Sequence, residues 1–161
     1  MLKTLLLIAA SILALAVLLA IWITRDGELI TPEGAGTVTL DAGEFEAYPL
    51  PEYVTEVLTE DYKSYLVEVE SGIKIHVLEV GTGYPVYLQH GNPTSGLLYR
   101  KVADRLPTER MRLIMPTMVG LGFSSKIPVS EHKLVNHVRW MNSVLEQLDL
   151  TELVYVGQDW G

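Results

Sequence analysis

The tightest constraint on this chain lies between Leu153 and Gly161. The apolar run Leu153-Val154-Tyr155-Val156 leads directly into Gly157-Gln158-Asp159-Trp160-Gly161. This reads as a buried strand followed by a sharp small-x-acid-x-small turn. Small residues two before and two after a central residue are what a nucleophile elbow needs. The turn is too tight for larger side chains, and it lifts the central side chain clear of the sheet. Here the central residue is aspartate and not serine, so the candidate nucleophile is the Asp159 carboxylate. Nothing after it supplies the acid and histidine that such a nucleophile uses. A longer chain is therefore expected, adding more sheet, a helical cap, an acid and a late histidine.

The amino-terminal part is organised differently. Leu5 to Thr24 is one unbroken low-polarity run with Trp22 near its end. Twenty residues at ~1.5 Å each span roughly 30 Å, the hydrocarbon thickness of a bilayer. The reading is an uncleaved signal anchor over residues 1–24. Lys3 and the amino terminus precede the run, and Arg25 follows together with Asp26 and Glu28. That bias points to a single-pass protein with its amino terminus in the cytoplasm and the remainder on the non-cytoplasmic side, periplasmic or extracellular. Ala14-Leu15-Ala16 leaves a cleaved signal peptide and a secreted product as the alternative. A buried core helix is the third reading, although the run has no polar face.

The net charge of -8 is a local property. Residues 26–60 hold nine acids and no Lys or Arg, whereas acids and bases nearly cancel from Asp61 onward. Gly34-Ala35-Gly36, Asp41-Ala42-Gly43 and Pro49-Leu50-Pro51 interrupt any periodicity, so residues 25–60 read as an acidic, solvated linker. No basic stripe exists, which argues against nucleic-acid binding. The absence of cysteine excludes disulfides and thiolate metal sites. No metal or cofactor is expected.

A strand-rich pattern begins at residue 61. Tyr65–Val69 and Ile73–Leu78, separated by Glu70-Ser71-Gly72, predict an antiparallel hairpin. Val86–Gln89 is a short buried strand that runs into His90-Gly91-Asn92-Pro93-Thr94. The helix predicted next carries Leu98, Val102 and Leu106 on one face. Met111–Met115 is a strand ended by Pro116, and Val119–Ser125 is a glycine-rich strand-exit turn. A second helix is predicted after the N-cap Ser130, with Leu134, Val138, Met141, Leu145 and Leu148 on one stripe. Repeated strand-helix units imply an α/β fold, a mostly parallel sheet covered on both faces. Ligands in such sheets sit beyond the carboxyl ends of the strands, where the His90–Thr94 loop and the Asp159 turn both lie.

These motifs together resemble the α/β-hydrolases, and within them the haloalkane dehalogenases. The resemblance covers about residues 62–161. It rests on His90-Gly91-Asn92-Pro93-Thr94 with Leu98-Tyr99-Arg100, on Pro116 with Gly120-Leu121-Gly122-Phe123-Ser124, and on Gln158-Asp159-Trp160-Gly161. Thr117 departs from the family, which usually has an aspartate there. The resemblance implies the amino-terminal half of an α/β-hydrolase fold, residues 61–161 being an incomplete domain that is inactive alone. It also implies that Asn92 and Trp160 hold the halide, and that their backbone N–H groups form the oxyanion hole. The substrate would be a small apolar molecule, a haloalkane or an epoxide.

The residues carry that chemistry on their own terms. A carboxylate nucleophile suits displacement at saturated carbon. The leaving halide needs donors, and the Trp160 indole and Asn92 carboxamide supply N–H groups. His90 reads as a structural hydrogen-bonding residue that supports the loop with Gly91 and Pro93. His76, His90, His132 and His137 all precede the nucleophile, so none is the water-activating base in this fold's chain order. Trp140 reads as packing. Two other functions stay open: an epoxide hydrolase, and a non-catalytic membrane-tethered binding protein on a hydrolase scaffold. Epoxide hydrolases usually carry a bulky residue where Asn92 stands, and fluoroacetate dehalogenases an arginine where Trp160 stands.

Overall fold

The computed structural model of the protein describes residues 2–59 and 61–161, with the side chains of Leu2, Leu5, Leu6 and Thr24 outside that description. In chain order the elements are α1 (Leu2–Thr24), β1 (Thr37–Leu40), β2 (Gly43–Ala47), α2 (Glu52–Thr55), β3 (Lys63–Glu70), β4 (Ile73–Val80) and β5 (Tyr84–Gln89). A 3-10 turn, Gly96–Tyr99, then leads into α3 (Arg100–Ala103), followed by β6 (Met111–Pro116). A second 3-10 turn, Val129–Glu131, precedes α4 (Leu134–Gln147) and β7 (Val154–Gly157).

One sheet gathers all seven strands in the order β1-β2-β3-β4-β6-β5-β7. The pairs from β1 through β4 to β6 are antiparallel. β5 runs parallel to both β6 and β7. The predicted hairpin is present, as are the strand-helix alternation and the parallel placement of β7, but the sheet is mixed where a mostly parallel one was expected, because the strands before β5 pair antiparallel. Because β5 lies between β6 and β7, Gln89 sits opposite Gly157. That register sets the two loops of interest side by side at one end of the sheet.

Alternation along the strands divides the core. Ile75, Val77, Tyr87 and Ile114 face Trp140, Val144 and Leu148 on one side. Leu78, Val80, Val86, Leu88, Leu113 and Met115 face Tyr99 and Ala103 on the other. The two-residue period of a strand requires this division. The cover does not extend to β7: the strand read from the sequence as buried lies at the sheet edge and is exposed along its length.

Several expectations need correction. Residues 25–59 are not a free tether: β1 and β2 extend the sheet, Leu40 and Val54 are buried, and Ile30 bridges Lys126. The acids of β2 alternate with Phe45, which packs against the core, so a strand was hidden under a charge bias. Glu60 lies outside the described residues.

The first helix is too short for a Leu98–Val102–Leu106 stripe. A 3-10 turn advances ~120° per residue against ~100° in an α-helix, and here it buries Tyr99 and Ala103 while Leu98 and Val102 stay exposed. Nor does Ser130 cap α4. Its hydroxyl and N–H go to Asp26, and the N-cap is Lys133, with no side-chain cap bond. α4 buries Asn136, Trp140 and Val144; of the predicted stripe, Leu148 is buried with them and Met141 and Leu145 pack against the core, while Leu134 and Val138 at the start of the helix lie exposed.

The membrane-spanning helix expected over Leu5–Thr24 is likewise not found: among the described residues no helix is long and apolar enough to cross a membrane. The run does form α1.

Candidate active site

The turn after β7 is as tight as its glycines suggest. A Cβ on Gly157 would lie 2.5 Å from the carbonyl oxygen of Gly161, and one on Gly161 would lie 2.3 Å from that of Gln89. Only hydrogen fits at either position. Between them Asp159 holds φ = 60°, a left-handed conformation that a non-glycine residue adopts at a cost. The Gln158 N–H donates to Gln89 O at 3.2 Å and the Gly161 N–H to Gln158 O at 3.0 Å. These bonds fasten the strained turn to the end of β5.

The facing loop presses against the carboxylate. A Cβ on Gly91 would meet Asp159 Cβ at 2.4 Å and Oδ1 at 2.5 Å. Glycine there permits the Asn92 backbone N–H to donate to Asp159 Oδ1 at 3.2 Å. The Asn92–Pro93 peptide is cis. His90 is fully buried beneath this loop. Its Nδ1 donates to Gly91 O at 2.7 Å, and its Nε2 accepts the Met118 N–H at 2.9 Å. Both nitrogens are therefore spoken for by backbone, and burial holds its pKa below the usual histidine value. These contacts tie His90 to the loop that carries Asn92 and to the end of the neighbouring strand.

Thr117, the departure from the family pattern, keeps the neighbouring loop in place. Its Oγ1 accepts the Gly96 N–H at 3.1 Å, and its carbonyl accepts Ser124 Oγ at 2.6 Å.

Asn92 and Trp160 come together as walls of one cleft of about 200 Å³, with Met118, Val119, Leu121, Leu134, His132 and His137 as its other lining. The Trp160 side chain is well exposed. Asp159, Asn92 and Trp160 thus converge at the carboxyl ends of β5 and β7. Among the described residues no three His, Cys, Asp or Glu side chains form a group that would hold a metal ion.

None of the four histidines contacts Asp159 in the bonds observed. His76 is buried in β4, its Nε2 lies 2.9 Å from Ser64 Oγ, and burial lowers its pKa to about 3. The unforeseen feature is a pair: His132 Nδ1 lies 3.3 Å from His137 Nε2, with the rings stacked. The only hint in the sequence was five-residue spacing across the start of a helix, which a continuous helix from Ser130 would not have brought together.

Residues 84–161 match the family described as alpha/beta hydrolase fold. A haloalkane dehalogenase of Psychrobacter cryohalolentis is 41% identical over 96 residues, covering 57% of this chain and 31% of that protein. One from Agrobacterium fabrum is 40% identical over 90 residues, 56% of this chain and 29% of that protein. The chain thus spans about a third of the length of the curated relatives it matches. Among solved structures, the haloalkane dehalogenase DatA from Agrobacterium tumefaciens C58 superposes with a TM-score of 0.58 at 36% identity, over 69% of this chain and 36% of that one. The epoxide hydrolase VrEH1 from Vigna radiata gives 0.56 at 28% identity, over 62% and 31%.

Proposed function

We propose that this chain, a haloalkane dehalogenase-like α/β-hydrolase in sequence and fold, belongs to an enzyme that cleaves carbon–halogen bonds through an aspartyl ester. The observation that carries the reading is the convergence of Asp159, the Asn92 backbone N–H and the Asn92–Trp160 cleft at the β5–β7 end of the sheet.

The chemistry follows from that arrangement. Asp159 Oδ1 is engaged by the Asn92 N–H, which leaves Oδ2 to attack the halogen-bearing carbon. The C–O bond forms as the carbon–halogen bond breaks. The halide departs with the electron pair toward the side-chain N–H groups of Asn92 and Trp160. Preorganised donors aimed at developing charge contribute about 3 kcal/mol each. Water then attacks the ester carbonyl carbon, and the Asn92 and Trp160 backbone N–H groups receive the charge on its oxygen; the base takes one water proton and returns it to the alcohol oxygen as the ester C–O bond breaks, and the second proton is lost to solvent as the Asp159 carboxylate reforms. The base for that step is none of His76, His90, His132 or His137. Each is tied to another partner, and each precedes the nucleophile.

The test is halide release from a 1-haloalkane by the full-length protein, run beside diol formation from a matched epoxide. Replacing Asp159 by Asn abolishes halide release. Trp160→Phe keeps the ring, removes the N–H and lowers the rate at least about tenfold, or ~1.4 kcal/mol. Epoxide hydrolysis is the second reading, favoured by the likeness to VrEH1; diol without halide would establish it. Neither product would favour a binding protein on this scaffold.

We further propose that α1 attaches the protein to a membrane, with the hydrolase part on the non-cytoplasmic side. The support is the apolar run itself and the exposure of the described α1 side chains. Recovery of the protein in the soluble fraction after alkaline extraction would refute attachment.

A further inference from the structure

The proposed chemistry leaves one cluster in the cleft unused. Among the eight residues that line it, Met118, Val119, Leu121 and Leu134 are apolar, and Asn92 and Trp160 belong to the halide. The remaining two are His132 and His137. Neither is the base, yet their rings share a nitrogen–nitrogen contact of 3.3 Å. His137 is steadied from behind by Trp140, edge to face at 5.3 Å. His132 is packed so closely on Gly120 that a Cβ there would lie 2.3 Å from its Cε1.

Counting protons shows what the pair offers. Each neutral imidazole has one N–H and one lone pair. The contact uses His132 Nδ1 and His137 Nε2. If His132 donates, His137 is left with its N–H on Nδ1. If His137 donates, His132 is left with its N–H on Nε2. Either way the pair retains one unused N–H and one unused lone pair. His137 Nδ1 is buried and, among the described residues, has no hydrogen-bond partner; a lone pair is stranded there at less cost than an N–H, which favours His137 as the donor within the pair and leaves the N–H on Nε2 of His132, the other residue of the pair that lines the cleft.

Resting on the dehalogenase reading of the same cleft, we propose that His132 and His137 form a second polar subsite, which binds a hydrogen-bond acceptor on the substrate away from its carbon–halogen bond. The substrate class is then a bifunctional haloalkane that carries a hydroxyl, carbonyl or similar oxygen as well as the halogen. Such a molecule places its halogen at Asn92 and Trp160, its chain against the apolar lining, and its oxygen at the imidazoles. A site built to hydrogen-bond an oxygen discriminates against the analogue that lacks it far more than an apolar pocket discriminates by size.

The test reads binding and not turnover. In the full-length Asp159→Asn protein, calorimetric affinities for 6-bromohexan-1-ol and 1-bromohexane are compared with and without His132→Phe, and again with His137→Phe. The expected result is that either histidine replacement weakens the alcohol about tenfold more than the alkane. The alkane affinity reports whether the variant is folded. An alcohol-to-alkane ratio that neither replacement changes overturns the subsite. Halide release from both compounds by the unsubstituted protein is measured in parallel. If it is absent while the ratio still responds to the histidines, the dehalogenase reading fails and the polar subsite stands.

Discussion

At the residue scale, the site is built from groups that cannot be larger or turn elsewhere. Gly91, Gly157 and Gly161 are each in contact with atoms that a methyl group would strike. Asp159 accepts a positive φ because the bonds from Gln158 and Gly161 hold the turn around it. This much was legible in the sequence, because small residues at fixed offsets from a central aspartate have a steric cause. The histidines were less legible. Chain order places all four before Asp159, but the pairing of His132 with His137 depends on a 3-10 turn and a break before α4.

His76 gives a prediction at this scale. Its folded pKa of about 3 lies below its unfolded value near 6.5, so between those limits the unfolded chain binds the extra proton. Stability contributed by neutral His76 is complete above pH ~6.5 and falls as the pH drops toward 3, by at most ~1.4 kcal/mol per unit. Replacing His76 by Gln removes this slope. Denaturation of the full-length protein at pH 7 and at pH 5 checks it: the unsubstituted protein loses more stability between the two than the variant does.

At the element scale, strand positions were easier to read than helix faces. The strands from β3 to β7 show β-rich runs bounded by turn residues, and those signals are local. Which face a helix buries is decided by what it meets. α4 turns Trp140, Val144 and Leu148 to the sheet and leaves Leu134 and Val138 along a groove beside β7. The acidic segment before Asp61 joins the sheet because its apolar residues alternate with acids, a pattern that composition averages away.

One buried cluster couples three strands. Glu79 on β4, 2% exposed, accepts both a two-point contact from Arg112 on β6 at 2.9 Å and the Tyr65 hydroxyl from β3 at 2.8 Å. Glu79→Ala strands a guanidinium and a phenol in the interior. The expected loss is about 3–5 kcal/mol, the usual cost of removing one partner from a buried pair. Chemical denaturation of the full-length protein measures it, and a loss under about 1 kcal/mol would show that water reaches Arg112 instead.

At the scale of the whole molecule, topology makes the site. β5 and β7 are far apart in sequence and adjacent in the sheet, with Gln89 opposite Gly157. The Asn92 loop and the Asp159 turn meet only for that reason. The order of the strands was not readable from local pattern, since pattern does not say which strand inserts between which. The central claim is that Asp159 forms and loses a covalent ester. Multiple turnovers of a 1-haloalkane by the full-length enzyme in ¹⁸O-water test it, with mass spectrometry of the peptide that contains Asp159. Hydrolysis at the ester carbonyl deposits ¹⁸O in the Asp159 carboxylate, and that is the predicted result. Halide release with an unlabelled Asp159 would mean that water displaces the halide directly, and would contradict the account.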